Sequence, residues 1–165
     1  VIYLAMIHRA LRSTDYAAAR ASIEWAPRAS GHYYYVASES GSATGIETTA
    51  TLHTALPIHG GLLVHANHYH DARLGELATG PAGENSLARE GMLDGYLRER
   101  AGDLTLECFM EGLCLTEGRH PVCRPPADDP EAGTTCGAAI ICPQLRKMWI
   151  APGNPRTTEF EEVGV

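Results

Sequence analysis

Gly61-Leu62-Leu63-Val64-His65-Ala66-Asn67-His68-Tyr69-His70-Asp71 runs from unbroken apolar residues into the densest group of hydrogen-bonding side chains in the chain. This pattern predicts a buried strand over Leu62–Ala66 that delivers Asn67 and its neighbours to a working edge. Upstream, Tyr33-Tyr34-Tyr35-Val36-Ala37 is rich in strand formers, Glu39-Ser40-Gly41-Ser42 supplies a turn, and residues 43–49 return. A third strand is expected at Thr51–Ala55, after which Pro57-Ile58-His59-Gly60-Gly61 turns the chain into the quoted stretch. Residues 32–67 therefore predict an antiparallel meander ending at Asn67.

Helical signals flank the meander. Over residues 2–12, Leu4, Ile7, His8 and Leu11 recur at helical spacing with Arg9 and Arg12 turned away. Ser13 or Thr14 can cap a second helix from Asp15 to Ala26, striped by Ala19, Ile23 and Ala26 and ended by Pro27. Gly75, Gly80, Pro81 and Gly83 make 75–83 a loop. Asn85 or Ser86 can then cap a helix reaching Arg100, with Leu93 and Leu97 paired at i, i+4. Thr105 can cap a short helix bearing Leu106, Phe109, Met110 and Leu113, and Pro121, Pro125, Pro126 and Pro130 impose an irregular segment. Thr135–Cys142, a turn at Pro143–Arg146 and Lys147–Ala151 predict a last hairpin. The order αα, several β, αα, ββ predicts an α+β fold with antiparallel sheets and flanking helices, in a single domain over 1–165.

Composition limits the partners. A net charge of −7 with scattered Lys and Arg argues against a nucleic-acid surface, which needs clustered cations. No apolar run approaches the roughly 18 residues of a membrane span. Five cysteines, an odd number with no Cys-x-x-Cys pair, give neither a zinc pattern nor a disulfide framework, so a reducing, cytoplasmic home is expected. The opening Val1-Ile2-Tyr3 has no basic n-region, and a piece of a longer polypeptide fits better than a signal peptide.

Each candidate constellation has a plainer counterpart. His65, His68 and His70 suggest a metal site, but alternation along a strand puts His65, Asn67 and Tyr69 on one face and His68 and His70 on the other, so neither metal nor cofactor is expected. The Asn67 amide offers fixed N–H donors without a titrating proton, as an oxyanion hole requires; its plainer role is turn chemistry. Glu47, ending an apolar strand, is either a base or positioning group or an exposed carboxylate. Cys136 and Cys142 share a face of one predicted strand and read as small core residues rather than nucleophiles. The Tyr33-Tyr34-Tyr35 run reads as sheet packing more than as a stacking platform.

Taken in order, Tyr33 to Ala37, Gly45-Ile46-Glu47-Thr48 and Gly61 to Tyr69 resemble the acyl-coenzyme A:6-aminopenicillanic acid acyltransferase family of N-terminal-nucleophile hydrolases, whose members carry a His-Thr/Ser-Asn-His-Phe/Tyr segment after such a meander. Pro121-Val122-Cys123-Arg124-Pro125 is similar to the family's Pro-x-Ser-Ile-Cys-Arg segment, and Thr135 to Pro155 to its last hairpin and Gly-x-Pro ending. The resemblance implies a partial αββα sandwich, the C-terminal portion of a larger acyltransferase or amidohydrolase domain. It implies an acyl-cysteine intermediate, a small-molecule acyl or amide substrate, and a nucleophile supplied by a missing N-terminal segment or another chain. Asn67 matches the oxyanion-stabilising asparagine, with His65 and Glu47 as candidate neighbours. Family members place an arginine just before the last hairpin, where this chain has Glu131-Ala132-Gly133-Thr134 and the nearest upstream arginine is Arg124. The competing expectation is a non-catalytic binding or partner domain that keeps the sheet. A half-sandwich with an uncovered sheet also predicts a homo-oligomer or an aggregation-prone monomer.

Overall fold

Asp15 starts the second helix rather than Ser13 or Thr14: its carboxylate accepts from the Ala18 amide at 2.8 Å, so α2 runs Tyr16–Glu24 after α1 at Tyr3–Leu11. The inward face of α1 is Met6, Ile7 and Ala10, not the expected Leu4, Ile7, His8 and Leu11; Leu4 and Leu11 are exposed. Apolar residues surround most of this helix, so spacing alone cannot select the buried side. The expected stripe of α2 keeps Ile23, while Ala26 lies outside the described residues.

In this computed structural model the described residues are 1–25, 27–126 and 133–164, and the chain divides into two units, Val1–Ala82 and Gly83–Val165. Both mix helices with a three-stranded antiparallel sheet. The first unit holds β1 (His32–Ala37), β2 (Ala43–Thr48) and β3 (His53–Leu56) in that order, with Tyr34 opposite Ile46 and Tyr33 opposite Glu47. Alternation then assigns the faces. Tyr34 and Ile46 point at α1 and α2 and join Met6 and Ile23 in the core, where each buried aliphatic side chain contributes about 1.5–3 kcal/mol.

Arg28 ties these layers together. Its side chain is 4% exposed and donates to five main-chain carbonyls: Ile23, Glu24 and Trp25 at the end of α2, and Thr49 and Leu52 in the turn between β2 and β3. The guanidinium thus satisfies carbonyls that the helix end leaves without partners.

The expected strand Leu62–Ala66 does not form. Only a bridge between His59 and Leu62 is present, and residues 63–66 cross the second face of the sheet instead of joining its edge. Side chains take up part of its bonding: the Leu63 carbonyl accepts from the Tyr35 hydroxyl at 3.3 Å. A short α3 (Ala72–Gly75) follows, which the glycine-rich reading of this region does not predict; Asp71 caps it through the Arg73 and Leu74 amides.

The second unit contains α4 (Glu84–Arg98), α5 (Leu106–Leu113), β4 (Ala138–Cys142), β5 (Lys147–Ala151) and β6 (Glu161–Gly164), with sheet order β4-β5-β6. Thr105 caps α5 as expected, accepting from the Cys108 amide at 3.3 Å, whereas α4 starts at Gly83 with no side-chain cap. Gly112 of α5 lies against Leu93 and Tyr96 of α4, where an added Cβ would come within 3.1–3.3 Å of them. The last hairpin turns through a 3-10 segment, Pro143–Leu145, and Arg146 at φ 52°. β6 is an addition to the expected hairpin. β4 is shorter than expected, because Thr135 bonds back to Arg124 in both directions. Cys136 therefore precedes the strand and is exposed, and it shares no strand face with half-buried Cys142. The fully buried cysteine is Cys123, and all five thiols are free. Pro130, Glu131 and Ala132 lie outside the described residues.

Candidate functional site

Alternation along β2 turns Glu47 away from the helical core, toward the face that residues 63–71 cross. Its side chain is 1% exposed, so a plain exposed carboxylate is ruled out. Oε1 accepts from His65 Nε2 at 2.8 Å and from the His70 amide at 2.5 Å, and Oε2 accepts from the Asp71 amide at 3.0 Å. A carboxylate in so little water is sustained by such charge-assisted bonds.

His65 is held from all sides. The Tyr33 ring stacks on it at 3.6 Å with planes 3° apart, and Tyr35 meets Tyr33 edge-on at 4.6 Å. The Tyr33 ring has room because Gly45 lies beneath it: a Cβ there would collide with the Tyr33 hydroxyl and Leu63. His65 Nδ1 faces the Ala66 carbonyl at 2.7 Å while Nε2 faces Glu47. Both partners accept, so whichever ring nitrogen carries a proton has an acceptor to meet.

The chain bends at Asn67 and His68 and again at His70. The bends overturn the expected separation of the histidines onto two faces. The His70 ring lies 4.7 Å from His65 and 5.3 Å from His68, and His68 lies 6.2 Å from His65. Asn67 is exposed at the bend. Tyr69 anchors the far side of the loop by donating to the Thr48 carbonyl at 2.9 Å; burial, and then the Glu47 carboxylate, push its phenol up. Asp71 closes the loop, its carboxyl held down at about 2 by hydrogen bonds from the Arg73 side chain and from the first amides of α3.

Of the expected site residues, Glu47 and His65 are in direct contact, and Asn67 lies between His65 and His68 on the loop that Glu47 holds. His68 and His70 join this group, which strand geometry had argued against; the signal available in the sequence was their spacing around a residue that favours bends. In the second unit, the main chain of Arg124 pairs with Thr135, beside the start of the last hairpin. Asn154 fastens this region: it accepts from the Cys123 thiol and the Arg156 amide and donates to the Arg124 carbonyl at 2.7 Å.

Comparison with known proteins finds no family model that matches this chain and no matching curated protein.

Proposed function

We propose that this chain is the C-terminal part of an acyltransferase or amidohydrolase of the cysteine N-terminal-nucleophile type, and that Asn67 donates to the oxyanion. The observation that carries the proposal is the position of Asn67, an exposed residue on a loop whose main chain is clamped by a buried carboxylate. Oxyanion stabilisation depends on donors fixed before the reaction begins, and the Glu47 bonds to the His70 and Asp71 amides supply that fixation. The ordered motifs from Tyr33 to Pro155 add the reaction class.

In this reading a cysteine thiolate from outside these residues attacks the substrate carbonyl. The carbonyl oxygen takes the negative charge and accepts from the Asn67 side-chain N–H. Collapse expels the amine or thiol with a proton, and water or an acceptor amine then cleaves the acyl-cysteine. Glu47 and His65 touch no reacting atom and act as positioning residues.

The test uses the full-length parent. Asn67→Ala should lower kcat by about 100- to 1000-fold with circular dichroism unchanged. An unchanged rate in a folded variant overturns the assignment of Asn67. A parent that forms no acyl-enzyme with thioester or amide substrates overturns the reaction class.

A further inference from the structure

We propose that β4 is a dimerisation edge, along which two copies of this chain pair antiparallel and join their three-stranded sheets into one of six strands. The inference stands apart from acyl transfer and uses no residue of the Glu47 loop.

β4 lies at the end of the order β4-β5-β6, so one of its sides is paired and the other is not. Among the described residues its main chain bonds to β5 alone, which leaves N–H and C=O groups open along the outer side. Sheet edges are ordinarily blunted by charge, by proline or by shortness. The other outer strands follow that rule or have their side chains engaged. β6 carries Glu161 and Glu162, and β3 has four residues and is followed by Pro57. On β1 the Tyr33 ring is stacked on His65 and the Tyr35 hydroxyl donates to the Leu63 carbonyl. β4 reads Ala-Ala-Ile-Ile-Cys, with neither charge nor proline.

The strand's own sequence selects a second copy as the occupant. A two-fold axis through Ile140, normal to the sheet, sets Ile140 against the partner's Ile140, Ala139 against the partner's Ile141 and Ala138 against the partner's Cys142. All five residues then pair, each side chain stays on its own face, and a smaller residue meets a larger one on either side of the centre. On the open face, Ile141 is 64% exposed and shares a row with Met148 and Val163, while Ala139 shares a row with Ile150. The two-fold joins these rows end to end, so the exposed Ile141 gains an apolar neighbour across the join. Charge points the same way. With a net charge of −7, two copies repel through their acidic surfaces, and β4 adds nothing to that repulsion. A five-residue edge is at the small end of specific interfaces, so the dimer exchanges with monomer at micromolar concentrations.

The experiment is sedimentation velocity of the intact protein from about 1 to 200 µM, in a reducing agent so that exposed Cys136 cannot link copies. A reversible monomer–dimer equilibrium is expected, with hydrogen exchange at residues 138–142 slowing as the dimer fills and exchange in β6 unchanged. Ala139→Lys and Ile141→Lys, both at exposed positions, should each weaken the dimer by about tenfold or more; Val163→Lys, on the same open face at the opposite edge, should do so by less than about twofold. A monomer throughout the range, or a dimer in which exchange at 138–142 does not slow, overturns the proposal. Equal losses in Val163→Lys and Ile141→Lys also overturn it, because they mark stacking of sheet faces instead of edge pairing. All three substitutions replace exposed side chains, and circular dichroism checks that each variant is folded. The dimer is measured without substrate, so this proposal and the acyl-transfer reading fail separately.

Discussion

Replacing Glu47 by Gln changes one oxygen to an amide and nothing in size, so its effect measures how firmly the loop is held. The carboxylate takes three bonds while 1% exposed, and each bond to a charged group contributes about 1.5–3 kcal/mol. The glutamine oxygen can occupy the Oε1 position and keep His65 Nε2 and the His70 amide. Its NH2 then opposes the Asp71 N–H, a donor facing a donor, and that bond is lost. The two retained bonds weaken because the acceptor is neutral, by about 1 kcal/mol together. The loss should be about 3 kcal/mol, and Glu47→Ala should cost about 3–5 kcal/mol, as for a buried pair that loses one member. Hydrogen exchange at the His70 and Asp71 amides is the direct assay: about 3 kcal/mol corresponds to roughly a hundredfold faster exchange if opening of the loop limits it. Urea unfolding gives the accompanying change in stability. Exchange unchanged at both amides, with stability within about 0.5 kcal/mol of the parent, would refute the clamp.

Arg28→Lys should destabilise the first unit by about 2–4 kcal/mol in urea unfolding, because an ammonium has three donors and cannot span five carbonyls on two elements. Gly45→Ala should displace the Tyr33 ring, cost about 1–3 kcal/mol, and remove the ring-current shift of the His65 protons in NMR spectra. The Asp71 carboxyl should titrate near 2. Since its folded value lies below its unfolded one, its stabilisation is complete above about 4 and lost as pH falls through 2; Arg73→Ala should return the titration toward the ordinary range.

Much of this arrangement is legible in residue order. The β1–β2 hairpin follows from β-branched and aromatic runs around a Ser/Gly turn, and the cap at Thr105 from a hydroxyl before an apolar run. The site is legible only in part. Asn67, His65 and Glu47 stand out by type, but 63–66 looks like a strand because apolar content cannot distinguish a segment that pairs with a sheet edge from one that crosses its face. That single misreading placed the histidines on opposite faces. β6 is hidden for a related reason: Glu161-Glu162 carries no apolar signal, and an exposed strand on a sheet edge needs none. Arg28 is invisible for another, since its partners are carbonyls, which every residue possesses.

That last point bears on how the sequence tolerates change. Thr49, Leu52, Ile23, Glu24 and Trp25 meet the guanidinium through atoms common to all amino acids, so their side chains can drift without disturbing it. Position 28 has no such freedom, because the fork of donors belongs to arginine alone. Saturation mutagenesis should record an intolerant arginine, while Trp25 and Leu52, partner positions with exposed side chains, accept change; Ile23 and Thr49 are restricted by their own burial instead. Covariation, the usual trace of contact between side chains, would leave this joint unmarked.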